Sequence, residues 1–385
     1  MTTRSDAPLL APTSVDDVRS AMHDAMRDGT PLRICGAGLW RGAGAPVAAS
    51  RTLSLASLRG IIAYVPGDLT ITAWAGTSLA ELAHATAAHG QWLGLDPAGD
   101  RDGTIGATIA TASSGALAHA FGTPRDLVLG LDAVTGYGEC VRPGGRVVKN
   151  VAGFDLVRLY TGSWGTLGAI TAVTLRLRAL PVHDVTLAIA AFDGGRLPWL
   201  LEALRASTVS LLACEFIDGH TAAAHAIGDG GDTLLLRLGG NDAFVRGQRA
   251  VLDGIAPSRV VDAVVWSRLA LLDQDATAVV RLSGTVSALP DRIARMQYAV
   301  QQSGVSASIH SSVARGIVRV VACGDADPLR EAMSTTLRDE KRVVERLPHR
   351  WWSHEADPFS DGLAGRVRAA FDPQQLCNRR ERADA

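Results

Sequence analysis

The sequence predicts an α+β protein with a glycine-rich N-terminal domain and a second, β-rich domain. Helical and strand-like patterns alternate along the first 180 residues, and glycine is dense from Gly94 to Gly168. From residue 183 onward, short apolar runs alternate with amphipathic helical ones, which is typical of an α+β domain. A length of 385 residues with 47% hydrophobic side chains suits two or three domains with real cores.

Local signals predict the elements of the N-terminal domain. Residues 14–29 predict a helix that begins after the N-cap Ser14 and is closed by Gly29. Ser78 and Glu81 have the spacing of a capping box at the start of a second helix. Between the two helices, short alternating or apolar runs predict strands.

The domain boundaries follow from a change in pattern at Pro181, which ends a strong strand pattern. We expect an N-terminal domain over residues 1–182, with subdomains 1–90 and 91–182. Residues 183–345 predict a smaller β-rich α+β cap domain with helices on one face of its sheet. Residues 346–385 are expected to return to the first domain.

Charge and cysteine usage exclude several classes of protein. A formal net charge of −1 gives no electrostatic case for binding nucleic acid or an anionic membrane surface. The five cysteines are far apart and include no C-x-x-C pair, so no metal site and no disulfide scaffold are expected. Because no apolar run approaches the ~20 residues of a membrane span, we expect a cytoplasmic protein that reaches the inner membrane only through a partner.

The first glycine loop, CGAGLWRGAG at residues 35–44, is close to a dinucleotide-binding fingerprint. Gly36 and Gly38 fit G-x-G-x-x-G, but Arg41 occupies the third glycine position. The chain also has no Gly-Lys dipeptide, which excludes a Walker P-loop. Both a phosphate-binding loop and an ordinary glycine turn are compatible with this stretch.

The second glycine region, residues 96–130, is rich in small and hydroxyl side chains. Such residues let backbone amides approach an anion closely, so two loops near residues 37 and 106 could hold a pyrophosphate without lysine. A tightly packed glycine-rich sheet would have the same composition, and composition alone does not separate the two.

The order of five motifs resembles the FAD-binding oxidoreductases of the vanillyl-alcohol oxidase type. The resemblance covers almost all of the first 180 residues and the last ten. The motifs are GQWLGLDP (90–97), TIGATIATASSG (104–115), FGTPRDLVLG (121–130), KNVAGFDLVRLYTGSWGTLGAIT (149–171) and FDPQQLCNRR (371–380). KNVAGFDL is most similar to the small FAD-binding subunit of bacterial glycolate oxidase, a complex with a larger flavin subunit and an iron–sulfur subunit.

The resemblance implies a vanillyl-alcohol-oxidase-type FAD-binding domain of two α+β subdomains, and it implies where FAD lies. The first pyrophosphate loop would be Cys35, Gly36, Ala37, Gly38, Leu39 and Trp40. The second would be Thr104, Gly106 and Ala107, continued along the flavin by Ala110, Ser113 and Ser114. Further contacts would come from Pro97, from Gly122 near the isoalloxazine, from the backbone of Gly168 and Ile170, and from Asn378 in the terminal turn.

Some members of this family carry covalent flavin on a histidine or cysteine in these loops. Neither residue type occurs between Leu93 and Ala118, and Cys35 is the only candidate in the first loop. We therefore expect non-covalent FAD. The terminal turn reads Asn378-Arg379-Arg380 and lacks the family's proline and glycine, so it departs from the family pattern.

Oxidation of a 2-hydroxy acid needs a hydride acceptor, a base for the hydroxyl proton and a cation for the carboxylate. The cap histidines, His183, His220, His225 and His310, show no metal-binding spacing and are expected to be surface or satisfied residues. Relatives that oxidise the acid have polar residues where our alignment places Val148 and Ala152. No catalytic residue is assigned, and this chain is expected to bind FAD while a larger partner oxidises the acid.

Two further features leave alternatives open. Lys149 would either add positive potential near the reduced flavin or bond a carboxylate such as Asp155. The cluster around Trp351 and Trp352 would line the flavin, fill a seam between domains or mark a subunit interface. Three functions are compatible with the sequence: an FAD-dependent subunit of a glycolate-oxidising complex, a stand-alone 2-hydroxy-acid dehydrogenase, and a structural subunit without flavin.

Overall fold

The computed structural model describes residues 8–40, 42–145, 154–191, 195–227, 230–336, 340, 342–355 and 362–381. Within these residues the helices are α1 (Val15–Asp28), α2 (Leu79–Ala87), α3 (Ile105–Thr111), α4 (Ala118–Phe121), α5 (Pro124–Leu127), α6 (Leu156–Tyr160), α7 (Arg196–Ala206), α8 (Gly219–Ala224), α9 (Asp242–Ile255), α10 (Val264–Ala270), α11 (Leu289–Ser303), α12 (Asp327–Thr336) and α13 (Gly362–Phe371).

The strands of the described residues form four sheets. They are β1 (Leu9–Leu10), β2 (Leu32–Cys35), β3 (Arg51–Ser54), β4 (Ile61–Val65), β5 (Thr70–Trp74), β6 (Gln91–Trp92), β7 (Val128–Thr135), β8 (Cys140–Val141), β9 (Gly168–Arg176), β10 (Arg178–Ala179), β11 (His183–Ala190), β12 (Ala213–Ile217), β13 (Thr233–Gly240), β14 (Arg259–Val261), β15 (Ala278–Ser283), β16 (Ala307–Ser312), β17 (Ile317–Ala322) and β18 (Arg342–Arg346).

The chain divides into two compact units. The first unit comprises Met1–Ser114, Gly122–Leu180 and His349–Ala385, and the second comprises Gly115–Phe121 and Pro181–Pro348. The sequence placed residues 115–121 in the first domain, but this short segment belongs to the second unit. Ala116 packs there on a hydrophobic cluster that contains Ile217 and Trp266.

Two sheets organise the first unit. In one, β1 and β2 both pair in parallel with β3. In the other, the order is β4-β5-β9-β7-β8, and β5 and β7 pair antiparallel to β9. The second sheet combines strands from both subdomains predicted on either side of residue 90. Hydrophobic period identifies a strand but not its partner, so the sequence did not predict this pairing.

The helix caps predicted from local signals are confirmed. The Ser14 side chain accepts a hydrogen bond from the Asp17 amide at 3.1 Å, and Gly29 ends α1 with φ of 63°. The Ser78 hydroxyl and the Glu81 carboxylate form the reciprocal capping box at the start of α2. These caps satisfy amides that the first turn of a helix leaves without partners.

The second unit is built on one antiparallel sheet with the order β14-β11-β13-β12-β16-β17-β15-β18. Its central strands β12 and β13 are almost fully buried. On one face, Ala213, Ile217 and Leu235 pack against Val265 and Leu269 of α10. The same face also carries charged and titratable side chains on β12, β16 and β17, namely Glu215, His310 and Arg319, which are described below.

Candidate FAD site

The first loop follows directly from β2 and presents a run of free backbone amides. Ala37, Gly38, Leu39 and Trp40 have amides with no hydrogen-bond partner among the described residues. Gly38 has φ of 75°, and Ala37 and Leu39 are exposed to solvent. Successive N–H groups around a left-handed residue form a concave site that binds anions. The loop therefore fits one end of a pyrophosphate.

The first loop packs against the start of the second loop. A Cβ atom added to Gly36 would lie 2.0 Å from Thr104 Oγ1, so only glycine permits this approach. The Ser54 hydroxyl donates to the Gly36 carbonyl at 3.0 Å and fixes the base of the loop. The structure thus brings together the two glycine loops that the sequence singled out.

The amides at the start of the second loop are directed into the protein. The Ile105 amide donates to the Thr77 carbonyl at 2.9 Å, and the Gly106 amide donates to the Ala75 carbonyl at 2.8 Å. Gly106 is required because a Cβ atom there would lie 2.5 Å from Ala75 Cβ. These two amides have protein partners, so they are not available to an anion in this conformation, whereas the amides of residues 37–40 are.

Helix α3 provides a surface of small, partly exposed side chains. Thr104 is its N-cap, while Ala107, Ala110, Ser113 and Ser114 lie along or just after the helix and are half-buried. Ala107 and Ala110 are three residues apart and so share one face of the helix. A face without bulky side chains allows a flat ring system to approach the backbone closely.

Trp164 joins the two loops to each other. Its amide donates to the Ala110 carbonyl at 2.8 Å, and its ring stacks on Trp40, with centroids 6.1 Å apart and planes at 19°. Trp164 has φ of 55°, a conformation that is strained for a bulky residue. Gly44 lies under the Trp164 ring, where a Cβ atom would approach the ring to 2.7 Å. Trp164 was not among the site residues predicted from the sequence.

The remaining predicted contact residues lie in tightly packed positions. Gly122 has φ of 83° and lies against Asp126, which caps α5. Gly168 has φ of 133° and begins β9, where a Cβ atom would lie 2.2 Å from the Val134 carbonyl oxygen. Ile170 is 4% exposed, and Pro97 is buried. Their contacts with FAD stay predictions.

The terminal turn lies beneath the first loop. The Asn378 side chain accepts a hydrogen bond from the Ile34 amide at 2.7 Å and donates to the Trp164 carbonyl at 2.7 Å. Cys377 is buried beside it, and burial raises the pKa of its thiol, which therefore stays protonated. Cys35 is half-buried and is not part of a disulfide.

Trp351 is buried and Trp352 is half-buried. Trp351 is 5% exposed, and Arg380 lies over the Trp352 ring at 5.7 Å from its centroid. The pair therefore does not form an exposed aromatic surface. Val148 and Ala152, the apolar residues behind the expectation that a partner oxidises the acid, lie outside the described residues, as does Lys149, whose two alternative roles stay open.

In the second unit, the contacts of His310 with its neighbours favour one tautomer of its ring. Arg319 Nη1 lies 3.2 Å from His310 Nε2, and because a guanidinium only donates, Nε2 must be the acceptor. The proton of the neutral ring is then on Nδ1, which lies 3.6 Å from a carboxylate oxygen of Glu215. His220 lies 3.3 Å from the Ser306 hydroxyl. Within the described ranges, no group of histidine, cysteine and carboxylate residues could hold a metal ion.

The Arg319 guanidinium is compensated by two carboxylates. It lies 3.1 Å from Asp273 and 2.6 Å from Glu345. Burial opposes its charge, but Glu345 and Asp273 outweigh this effect and raise the pKa of Arg319. With both carboxylates so close, this arginine is not a free cation for a substrate carboxylate.

His119 is a titratable residue of the second unit that was not among the residues predicted from the sequence. The predicted domain boundaries placed it in the first domain, whereas residues 115–121 belong to the second unit. Burial lowers the pKa of His119, and the charge of Glu215 opposes that shift. Its Nδ1 atom, one carboxylate oxygen of Glu215 and the Ser312 hydroxyl are all buried without a hydrogen-bond partner. Glu215 and Ser312 face each other across β12 and β16.

The fold and the loop geometry define a flavoprotein with a vanillyl-alcohol-oxidase-type FAD-binding domain. Residues 7–144 match the family described as FAD binding domain, which identifies FAD as the cofactor of this region. Among solved structures, 4-ethylphenol oxidase from Gulosibacter chungangensis is similar with a TM-score of 0.72 and 16% identity. The match covers 96% of this chain and 88% of that one and shows the fold.

Curated relatives match somewhat less than half of the chain. The glycolate oxidase subunit GlcE of Escherichia coli K12 is 38% identical over 167 residues, 43% of this chain and 47% of the relative. The mitochondrial D-lactate dehydrogenase [cytochrome] of Arabidopsis thaliana is 33% identical over 195 residues, 49% of this chain and 34% of the relative. The chain thus matches less than half the length of either relative. No helix within the described residues is long and apolar enough to cross a membrane.

Proposed function

We propose that this chain is the FAD-binding subunit of a complex that oxidises glycolate or another small 2-hydroxy acid. The other members would be a larger flavin subunit and an iron–sulfur subunit, and any attachment to the inner membrane would run through them. FAD binding is supported above all by the run of free amides from Ala37 to Trp40, in a loop whose Gly36 packs against Thr104. The similarity to a glycolate oxidase subunit supports the substrate class.

The first loop would bind the FAD pyrophosphate through N–H dipoles. This mode needs no lysine, and the described part of the loop has none. The small side chains of Ala107 and Ala110 would then lie along the cofactor. FAD bound in this way supplies an acceptor for the two electrons of an alcohol oxidation.

In the second unit, Arg319 and His310 have protein partners at the atoms that a substrate would need. A 2-hydroxy acid needs a cation for its carboxylate and a base for its hydroxyl proton. Arg319 is paired with Asp273 and Glu345, and His310 accepts from Arg319 through the nitrogen that a base would use. This supports the proposal that the larger flavin subunit oxidises the acid and that this chain relays electrons.

A test of the cofactor assignment uses the purified full-length chain. We expect the flavin absorption bands after reconstitution with FAD, and release of FAD on acid precipitation because no covalent bond holds it. A colourless chain that takes up no added FAD would refute FAD as its cofactor and leave the alternative of a structural subunit without flavin. Flavin that stays with the precipitated protein would refute non-covalent binding.

A second test concerns the stand-alone alternative, which the similarity to a D-lactate dehydrogenase favours. The FAD-loaded chain is mixed with glycolate, D-lactate or D-2-hydroxyglutarate and an artificial electron acceptor. We expect no dye reduction by the isolated chain and reduction once the co-purified partners are present. Reduction by the isolated chain would establish the stand-alone dehydrogenase instead.

A further inference from the structure

The C-terminal tail, residues 376–381, forms backbone hydrogen bonds with the segment before the first loop and with the segment after it. On the side of β2, the Leu32 amide donates to the Leu376 carbonyl at 2.9 Å, and the Asn378 amide donates to the Leu32 carbonyl at 2.9 Å. On the far side of the loop, the Ala48 amide donates to the Arg379 carbonyl at 2.8 Å. Residues 376–381 therefore hold both ends of the segment that carries the free amides.

Asn378 is the centre of this arrangement. Its Oδ1 atom accepts from the Ile34 amide at 2.7 Å, and its Nδ2 atom donates to the Ile34 carbonyl at 3.2 Å and to the Trp164 carbonyl at 2.7 Å. One side-chain amide thus satisfies both backbone groups of Ile34, and both of its hydrogens are used. Asn378 has φ of 42°, which asparagine tolerates better than most residues.

The hydrogen bond from Asn378 to the Trp164 carbonyl connects the tail to the residue that stacks on Trp40 of the first loop. Trp164 keeps a strained backbone with φ of 55°, and such strain persists only where neighbours fix it. The fixing contacts are the Ala110 carbonyl, the Asn378 amide and the Trp40 ring. Trp40 is itself the last residue of the run of free amides. Removing the Asn378 side chain would release the strand before the loop and the aromatic pair after it.

We propose that Asn378 is a positioning residue for FAD, which acts by fastening Ile34 and Trp164 so that the amides of residues 37–40 stay directed outward. This role rests on the proposed site at the first loop. It differs from a direct contact between the terminal turn and the cofactor, because both Nδ2 hydrogens are bonded to the protein backbone. The tail therefore shapes the loop before any cofactor binds.

The test compares Asn378→Gly with Asp372→Asn in the full-length chain. Glycine suits the positive φ of residue 378, so Asn378→Gly removes the side chain with little backbone strain. Asp372 accepts from the amides of Leu376 and Cys377 and anchors the same tail, yet the described contacts of its side chain do not include the first loop. Asp372→Asn is therefore a control for general weakening of the tail.

Two quantities are measured. The first is FAD affinity, by titration of flavin fluorescence. The second is the near-ultraviolet circular dichroism of the FAD-free chain, in which the Trp40→Phe variant identifies the signal of the Trp40–Trp164 pair. For Asn378→Gly we expect FAD binding weakened about tenfold or more, equivalent to about 1.4 kcal/mol, and loss of the pair signal. For Asp372→Asn we expect a lower melting temperature, a smaller loss of affinity than for Asn378→Gly, and an unchanged pair signal.

Asn378→Asp is the second variant. It keeps the size of the side chain and the acceptor for Ile34, but places a carboxylate against two carbonyl oxygens, and it should weaken FAD binding as well. Wild-type FAD affinity and pair signal in the position 378 variants would overturn the positioning role. A wild-type chain that binds no FAD would refute the proposed site, and the pair signal of the FAD-free variants would still decide whether Asn378 fastens Trp164.

Discussion

Gly36 and Thr104 meet so closely that a Cβ atom on Gly36 would stand 2.0 Å from the Thr104 hydroxyl oxygen. The two residues are far apart in sequence and come from the two loops expected at the pyrophosphate. Thr104 is 3% exposed and caps α3, so it has little freedom to move away. The contact therefore fixes the position of the first loop relative to α3.

Gly36→Ala should disrupt this contact. The added methyl group overlaps a buried side chain, which typically costs about 1–3 kcal/mol of folding free energy and shifts the backbone. Because the shift falls at the base of the free amides, FAD affinity should fall together with stability. Denaturant unfolding and a fluorescence titration with FAD measure the two effects.

Gly67→Ala is the matched control for that substitution. A Cβ atom at Gly67 meets nothing within 4 Å, and its φ is not positive, so both measurements should give wild-type values. Equal behaviour of the Gly36 and Gly67 variants would mean that the close approach of the two loops does not exist in solution.

Arg380→Ala should loosen the segment around Trp352. The Arg380 guanidinium donates to the carbonyls of Trp352 and Glu355 and lies over the Trp352 ring. A hydrogen bond to a charged group contributes about 1.5–3 kcal/mol to stability, and the substitution removes two such bonds. Faster proteolytic cleavage near residues 349–355 is the expected result.

Arg379→Ala provides the comparison, because the described contact of Arg379 is made by its backbone carbonyl with Ala48. It removes the same charge from the neighbouring position and should leave the cleavage rate unchanged. If both variants are cleaved at the same rate, charge loss rather than the contacts of Arg380 accounts for the effect.

The parts of the fold that local chemistry determines were predictable from the sequence. Ser14 and Ser78 cap helices through amides three residues away, so their role is encoded within a few positions. The two glycine loops were likewise visible, because only glycine permits the close approach that Gly36 and Gly106 make.

The remaining features depend on contacts between distant segments. Asn378 bonds to Ile34 across 344 positions, and no periodicity or motif spacing encodes that pairing. The inward direction of the Gly106 amide depends on its acceptor, the carbonyl of Ala75. His119 was counted with the wrong domain because the segment from residue 115 to 121 joins the second unit without any change in composition.

His119 should make stability depend on pH. Burial lowers its pKa below the usual 6.5, so the unfolded chain binds a proton more readily than the folded one. This contribution is fully present above about pH 6.5 and is lost as the pH falls from there toward the lowered folded-state pKa. The melting temperature should therefore drop on acidification from about pH 7 to about pH 5.

His119→Gln isolates this contribution from the other titrating groups. His225, whose pKa is also lowered by burial and by Arg268, is present in both proteins and cancels in the difference. The variant should lose less stability than the wild-type chain over the same pH interval. Parallel melting curves at every pH would show that His119 titrates as it does in the unfolded chain.

Arg319→Met should be the most destabilising of these changes. The guanidinium is paired with Asp273 and Glu345, and all three side chains are largely buried. Removing the cation leaves Asp273 without its ion pair and Glu345 with Arg281 as its remaining partner, and breaking a buried pair in this way costs about 3–5 kcal/mol. It also frees Nε2 of His310, which then has no donor from Arg319. Thermal unfolding followed by circular dichroism measures the loss.

Arg246→Met is the exposed counterpart. Its partner Asp242 lies one helical turn away on α9, and the two side chains are 72% and 53% exposed. Surface pairs of this kind contribute about 0–1 kcal/mol, so the melting temperature should hardly change. Should Arg319→Met melt at the same temperature as Arg246→Met, the charged side chains on the sheet of the second unit would be hydrated, and Arg319 would be available as a cation after all.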